Sequence, residues 1–529
     1  MSWLDPLKNK REGKEEMLKR SWKGLLSVAL ASSLMVGCSN TNTNTTEKED
    51  GEYRIATVRW SDWGDDFLKG FVEETEKEAG IKVNWDIYLN SEWGDKKSVL
   101  MAGGDLPDAF WGSLALSDGD IAQNQSLFIP LEDLIAENMP NLMAAFDKEP
   151  SLRALVTSPD GHIYSLPKKL PLRPLTGNQL FINQKWLDNL GLEMPDTYED
   201  FYHVLQVFKE KDANGNGDLN DEIPYGGNIY GFVLPFGVTK GNDKAGLMTL
   251  KDGKPSYIPT QEEYKEGIAW MHQAYMDGLI DQELFTQDDS MAEAKRKDEN
   301  DALVGVAFGW TPDAVFGPNA EEYVPLAPLK GPDGERYVIS DTETYSRNEL
   351  LITTQAKDPE KLLQWADKFY TEDASIQTFY GSFGIGVEKK TDGTYQVLDA
   401  PEGESADIFA WTNSFRDFGP KYIEDGFNEK VTLPTDSGDG LKLELDKKIS
   451  EYAREQFPTV SFAAEEMQRL NTLNVDLTSY VNSMQSKWVV EGGIEKDWDD
   501  YISQLKKMGY DEFMEIQNNA FNRYQESLK

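Results

Sequence analysis

The chain has 529 residues, 39% of them hydrophobic and 11% aromatic, which is too long for one core and apolar enough to build two or three. Wholesale disorder is therefore excluded. Its 93 acidic residues outnumber 53 basic ones for a net charge of −40, with no Lys/Arg-rich run beyond the N-terminal segment, so a nucleic-acid backbone would be repelled.

The only cysteine is Cys38, and what precedes it explains it. Met17–Lys23 (MLKRSWK) is a basic segment, and Gly24–Gly37 is an apolar stretch of signal-peptide length, too short to span a membrane. It ends in Leu34-Met35-Val36-Gly37-Cys38, which resembles a bacterial lipobox with Met35 where leucine is usual. Residues 1–16 read as an upstream extension, 17–37 as a lipoprotein signal peptide, and 38–51 as the lipidated cysteine with a polar tether. The expectation is a diacylglycerol and acyl (palmitate) anchor on Cys38 that holds the protein on the extracellular face of the cell membrane. The bland alternative is a plain secretory signal with an incidental cysteine.

From Glu52 onward, strand and helix patterns alternate. YRIATVRW (Tyr53–Trp60) reads as a strand, DDFLKGFVEETEKEAG (Asp65–Gly80) as an amphipathic helix, and IKVNWDIYL (Ile81–Leu89) as a second strand. A helix through Met101, the turn GGDLPD and the strand AFWG follow, and this order predicts an α/β fold with a parallel layer. A second such region begins near Gln179. Thr197 is placed to cap a helix with Phe201, Val204, Leu205 and Phe208 on one face. Asp301–Trp310 reads as a buried strand, and Asp358–Tyr370 as a helix with an Asp cap followed by Pro. From about Ala406 the chain reads mainly helical, and it carries no internal repeat.

KDANGNGDLNDEIP (Lys211–Pro224) resembles half of an EF-hand. Asp212, Asn214 and Asn216 stand at loop positions 1, 3 and 5, Gly217 at the turn, and Asp218 offers its carbonyl. Ile223 stands where the bidentate glutamate belongs, with Asp221 and Glu222 arriving early. No second helix follows, so nothing can swing as in a sensor hand, and the expected role is a structural calcium staple. A plain Asn/Gly turn is the alternative.

Taken together, the lipobox, GGDLPDAFWG and LFINQKWLDNLG with its downstream calcium loop resemble the extracellular solute-binding lipoproteins of carbohydrate ABC importers (solute-binding family 1). The loop is similar to the branch that binds alginate oligosaccharides and glycosaminoglycan disaccharides. The resemblance implies a two-lobed, periplasmic-binding-protein-like fold with a hinge, an oligosaccharide held between the lobes, and ABC permease subunits as partners of a monomer. It places 52–168 and 320–378 in the N-lobe, and 169–319 and 379–529 in the C-lobe, with the calcium loop at 212–222. Crossings are expected near Leu166–Thr176, in the Pro-rich stretch after Trp310, and near Gly381–Gly386.

A sugar offers an apolar C–H face to aromatic rings and hydroxyls to polar side chains. Trp186, Trp365 and Trp498 lie on amphipathic helices and are assigned to packing. Trp60, Trp63, Trp111 and Trp310 fall at the carboxyl ends of strands, where open α/β sheets bind ligands. With Trp411, Arg416, Arg173 and Asn178 they form the candidate ligand set, each tryptophan with cleft and core both open. Arg59, Arg173, Arg347 and Arg416 are the arginines that could fork a uronate carboxylate, so neutral and acidic sugars both remain open. Two other classes compete: a peptide-binding lipoprotein, and a calcium-stabilised glycoside hydrolase or lyase. The three histidines (His162, His203, His272) form no HExxH and the chain has no GxSxG, so no catalytic set is assigned and the expectation is a non-enzyme.

Overall fold

The computed structural model describes residues 51–172, 174–240, 246–340, 344–435 and 438–527, all within one unit spanning 49–529. Cys38, the signal segment, the tether and Arg173 lie outside the described residues. Ten strands form the two principal sheets. They are β1 (Glu52–Arg59), β2 (Lys82–Leu89), β3 (Ala109–Trp111), β4 (Ser165–Lys169), β5 (Gln179–Asn183), β6 (Ile223–Tyr225), β7 (Val304–Gly309), β8 (Tyr323–Pro325), β9 (Tyr345–Ile352) and β10 (Lys421–Tyr422).

The first sheet runs β10-β4-β9-β3-β1-β2, and the second β8-β5-β7-β6. In the first, β1 is parallel to β2 and β3, and only β9 runs against its neighbours. Each sheet has its own core. Ile55, Ala109, Leu166, Leu350, Trp365 and Phe369 pack in one, and Trp186, Phe201, Phe208, Val306, Trp488 and Trp498 in the other. The result is the two-lobed α/β architecture, and Trp186, Trp365 and Trp498 pack in cores as their helical spacing implied.

Local chemistry sets the helix starts. The Thr197 hydroxyl accepts from the Asp200 amide at 3.1 Å while the Asp200 carboxylate takes the Thr197 amide, a reciprocal cap for Tyr198–Glu210. Asp358 caps Pro359–Asp367, whose first residue is the proline.

The chain crosses between the sheets at places the sequence located only in part. It leaves β4 at Lys169 and joins the second sheet at Gln179, where a first crossing was expected. The return falls later than residue 320, because Tyr323–Pro325 pairs with Phe181–Asn183 in the second sheet and only Tyr345 re-enters the first. The third crossing does not fall at 381–386 either. Lys421 and Tyr422 pair with Lys168 and Lys169 in the first sheet, and the chain turns to the second core only in the helix Gly438–Ile449. Between them, Val387–Lys389, Tyr395–Val397 and Val431–Thr432 form a small sheet on Leu170, Leu172 and Phe379. The segment from Ala406 is therefore mixed, with long helices only from Gly438.

β7 is buried on both faces, and Gly305 makes that packing fit. A Cβ there would stand 2.6 Å from the Phe208 ring and 2.9 Å from Trp186. Gly305→Ala is expected to cost about 1–3 kcal/mol, read as a lower urea midpoint at unchanged slope.

Candidate ligand-binding site

At the carboxyl end of β1 the chain emerges as Trp60-Ser61-Asp62-Trp63. Trp60 is 46% exposed, Trp63 is half-buried, and Ser61 and Asp62 are exposed beside them. The helix Ala406–Asn413 brings up Trp411, which stacks on Trp63 with ring centroids 5.1 Å apart and planes 25° from parallel. Phe418, buried, backs the strip 5.9 Å from Trp411 and 6.3 Å from Trp60. A run of ring faces bordered by a hydroxyl and a carboxylate is the lining that a sugar needs.

The segment carrying Phe418 is fastened from below by buried charges. Lys421 is fully buried and donates to the carbonyls of Phe418 at 2.7 Å and Gly419 at 2.8 Å. Burial, then the neighbouring Lys168, pull its pKa down to about 7. Glu349, also fully buried, accepts from the Gly419 amide at 2.7 Å, and Lys168 lies 3.3 Å from its carboxylate and donates to the Asp417 carbonyl. Arg59, the last residue of β1, is buried at the rear of the rings. Its guanidinium carbon lies 3.9 Å from the Phe67 ring centre, 5.7 Å from Trp63 and 5.6 Å from Trp411. It donates to the carbonyls of Ser414 (3.0 Å) and Trp411. Burial lowers its pKa to about 9, which leaves it charged at neutral pH.

Trp310, half-buried at the end of β7, has the buried Lys442 ammonium 4.7 Å from its ring centre. The next residue, Thr311, donates its hydroxyl to Asp407 at 2.7 Å, and Ser405 donates to Asp313 at 2.6 Å. Asp407 and Trp411 are four residues apart on the same helix, about 6 Å along its axis. One short helix thus bonds to the segment after β7 through Asp407 and to the rings after β1 through Trp411.

Not every expected residue joins this strip. Trp111 does not: it is fully buried, packed on Trp85, Trp365, Phe369 and Phe415. Gly419, at φ +86°, lies over it so closely that a Cβ would come within 2.4 Å of its indole nitrogen. Arg416 is 2% exposed, its guanidinium held by Asp439 at 2.8 Å and lying over Phe379 at 4.5 Å. Asn178 is exposed and lines a separate small cavity with Leu234, Pro235 and Tyr337. Conversely, Phe418 and Asp407 belong to the arrangement without any signal in their own neighbourhoods.

The 212–222 loop is tightly self-bonded. Asp212 accepts from the Gly215 and Gly217 amides, Asn214 from Asn216, and Asn216 from Asp218. Asp218 caps Asn220, while the Asn214 and Asn216 amide groups donate to Asp221. Glu222, only 3% exposed, accepts from the Ala213 amide with one oxygen and has no hydrogen-bond partner for the other. Burial, with Asp221 and Asp212 nearby, pushes its pKa up. A buried carboxylate oxygen without a donor, beside Asp212 and Asp221, fits a hard cation that takes oxygen ligands. Among the described residues no group of three or more His, Cys, Asp or Glu is arranged as a metal site, so such a cation would also need the asparagine and backbone oxygens.

Residues 61–376 match the model of the family described as bacterial extracellular solute-binding protein, and the chain belongs to that family. It is 32% identical over 481 residues to the fructooligosaccharide ABC transporter substrate-binding protein FusA of Streptococcus pneumoniae, covering 86% of this chain and 87% of FusA. The solved structure of a FusA EF-hand mutant in complex with fructo-nystose superimposes with a TM-score of 0.79 at 30% identity, over 90% of this chain and 99% of that one. Lipoprotein LipO of Bacillus subtilis is 25% identical over 542 residues, 95% of this chain and 98% of LipO. The alginate-binding protein AlgQ2 without calcium ion shares the fold at 20% identity and a TM-score of 0.69, over 89% of this chain and 98% of that one.

Asp407 titrates unusually. Burial, then Asp439 and Asp313, raise its pKa to about 6, against the Thr311 hydrogen bond and Arg416. Because the folded value exceeds the ordinary carboxylate one, the charged form costs stability above about pH 6, and the cost fades as pH falls toward about 4. Asp407→Asn should flatten the stability profile across that window and be stabilising at neutral pH by no more than about 3 kcal/mol, measured by urea unfolding at stepped pH.

Proposed function

We propose that the protein is the capture subunit of an oligosaccharide ABC importer, and that its ligand is neutral. The observation that carries this is the aromatic strip of exposed Trp60 and half-buried Trp63 and Trp411, backed by the buried Phe418, together with the commitment elsewhere of three of the candidate arginines, Arg59, Arg347 and Arg416. Arg416 is held by Asp439, and Arg347 by Asp118 and the Val460 carbonyl. Arg59 is bound to two carbonyls. A uronate would lack the bidentate partner it needs from these three. The similarity to FusA, whose structure holds fructo-nystose, points the same way. Rings on the first lobe take the C–H faces, Ser61 and Asp62 take hydroxyls, and Trp310 offers a surface from the second lobe. Lobe closure on the sugar then creates the form that docks on permease subunits.

In this reading the chain is a monomeric binding protein and not an enzyme. It is tethered through a lipid on Cys38 to the extracellular face of the membrane, a reading supported by the lipobox and by the similarity to a lipoprotein. No helix among the described residues is long and apolar enough to cross a membrane. Calcium is held by Asp212, Asn214, Asn216, Asp218, Asp221 and Glu222 as a fold staple, with the asparagine amides turned so that oxygen replaces nitrogen.

Calorimetric titration with neutral fructose- or galactose-based oligosaccharides and with uronic ones tests the first proposal. Binding of a neutral sugar, recovered uncut, is the expected result. Trp411→Ala should weaken it by about 2 kcal/mol, roughly 30-fold. Tight binding of a uronic sugar alone would overturn the neutral assignment, and a cleaved sugar would overturn the binding-protein reading. For the staple, chelation should lower the melting midpoint by several degrees, as loss of any native-state ligand does, and Glu222→Gln should abolish the calcium response. A parent protein whose midpoint ignores both calcium and chelator would remove the metal.

A further inference from the structure

A cation buried without a carboxylate is costly, and in a chain of net charge −40 carboxylates are plentiful. Arg59 is nonetheless 2% exposed and, among the described residues, pairs with no acid. Its contacts are of another kind. Two of its nitrogens meet the carbonyls of Trp411 and Ser414, at the end of the helix Ala406–Asn413, where carbonyls are left unpaired and the helix dipole is negative. Its flat face lies over Phe67, and it lies within 6 Å of both rings of the Trp63–Trp411 stack. Trp63 follows β1 by four residues and Trp411 comes from a helix some 350 residues later, so the stack has no local reason to form. The guanidinium contacts both.

We propose that Arg59 is a positioning residue of the ligand site: it ties the end of the Trp411 helix to the end of β1 and fixes Trp63 and Trp411 as one preformed platform. This rests on the oligosaccharide-binding reading above. A platform fixed before the ligand arrives binds more tightly, because the rings need not be ordered on binding. Lysine keeps the charge but supplies neither the planar fork nor the stacking face, so it should substitute only in part.

The test uses the full chain and its Arg59→Met, Arg59→Lys and Trp411→Ala variants. Circular dichroism of the unliganded protein reports the coupled indoles of Trp63 and Trp411, and calorimetry with a neutral oligosaccharide reports affinity. The expected result is that Arg59→Met loses the indole signal and at least ~10-fold in affinity, with Arg59→Lys between it and the parent. In a Trp411→Ala background Arg59→Met should cost under about 2-fold more, since both changes dismantle one unit. An intact indole signal in Arg59→Met overturns the proposal, whatever happens to affinity, and so do additive losses in the double variant. Should Arg59→Met fail to fold, Arg59→Lys decides: a parent-like signal overturns, an intermediate one supports. If the parent binds no sugar, the oligosaccharide reading fails by itself, and the indole signal still decides whether Arg59 fixes the stack.

Discussion

The aromatic edge of the first sheet depends on one constraint: the segment 411–421 must lie across the carboxyl ends of β1, β3 and β4 and be held there. Few apolar contacts could fix a loop at a sheet edge, where backbone carbonyls and amides would otherwise need water. The chain uses buried charges instead. Lys421 and Lys168 take the carbonyls of Asp417, Phe418 and Gly419, and Glu349 takes the Gly419 amide. Three carbonyls and one amide of the segment thus find ionisable side chains on the sheet, and hydrogen bonds to charged groups are the strong kind.

That fastening has two consequences. It puts Phe418 beside Trp60 and Trp411, completing a surface no single element carries. It also lays Gly419 over Trp111, which sinks that ring into the core with Trp365 and Phe415. The same fastening therefore backs the exposed ring of Trp60 and removes Trp111 from the candidate surface. Removing one member of such a buried set leaves the others uncompensated, so the set acts as a unit.

Between the lobes, the helix Ala406–Asn413 is the shared part. Its start is bonded to Thr311 and Asp313 beyond β7, and its last turn meets the rings beyond β1. One short helix thus contacts the segments that follow a strand of each sheet.

Much of this was legible in the chain itself. The alternation of strand and helix, the caps at Thr197 and Asp358, and the placement of Trp60 and Trp63 just past β1 follow from local periodicity and capping, which involve residues a few positions apart. The second and third crossings were misplaced because β8 and β10 are two or three residues long, too short to show a period. Arg416 and Trp111 looked like site residues because their types suit a sugar, and a residue's type does not reveal what will cover it. Asp439 meets Arg416 from the next helix, and Gly419 meets Trp111 from 308 positions away. The sequence by itself determined the fold class, through local pattern, and the family, through the motifs that resemble it. Only the tertiary structure decided which rings are exposed and which arginines are already held, because burial and charge pairing depend on contacts between segments that share no local pattern.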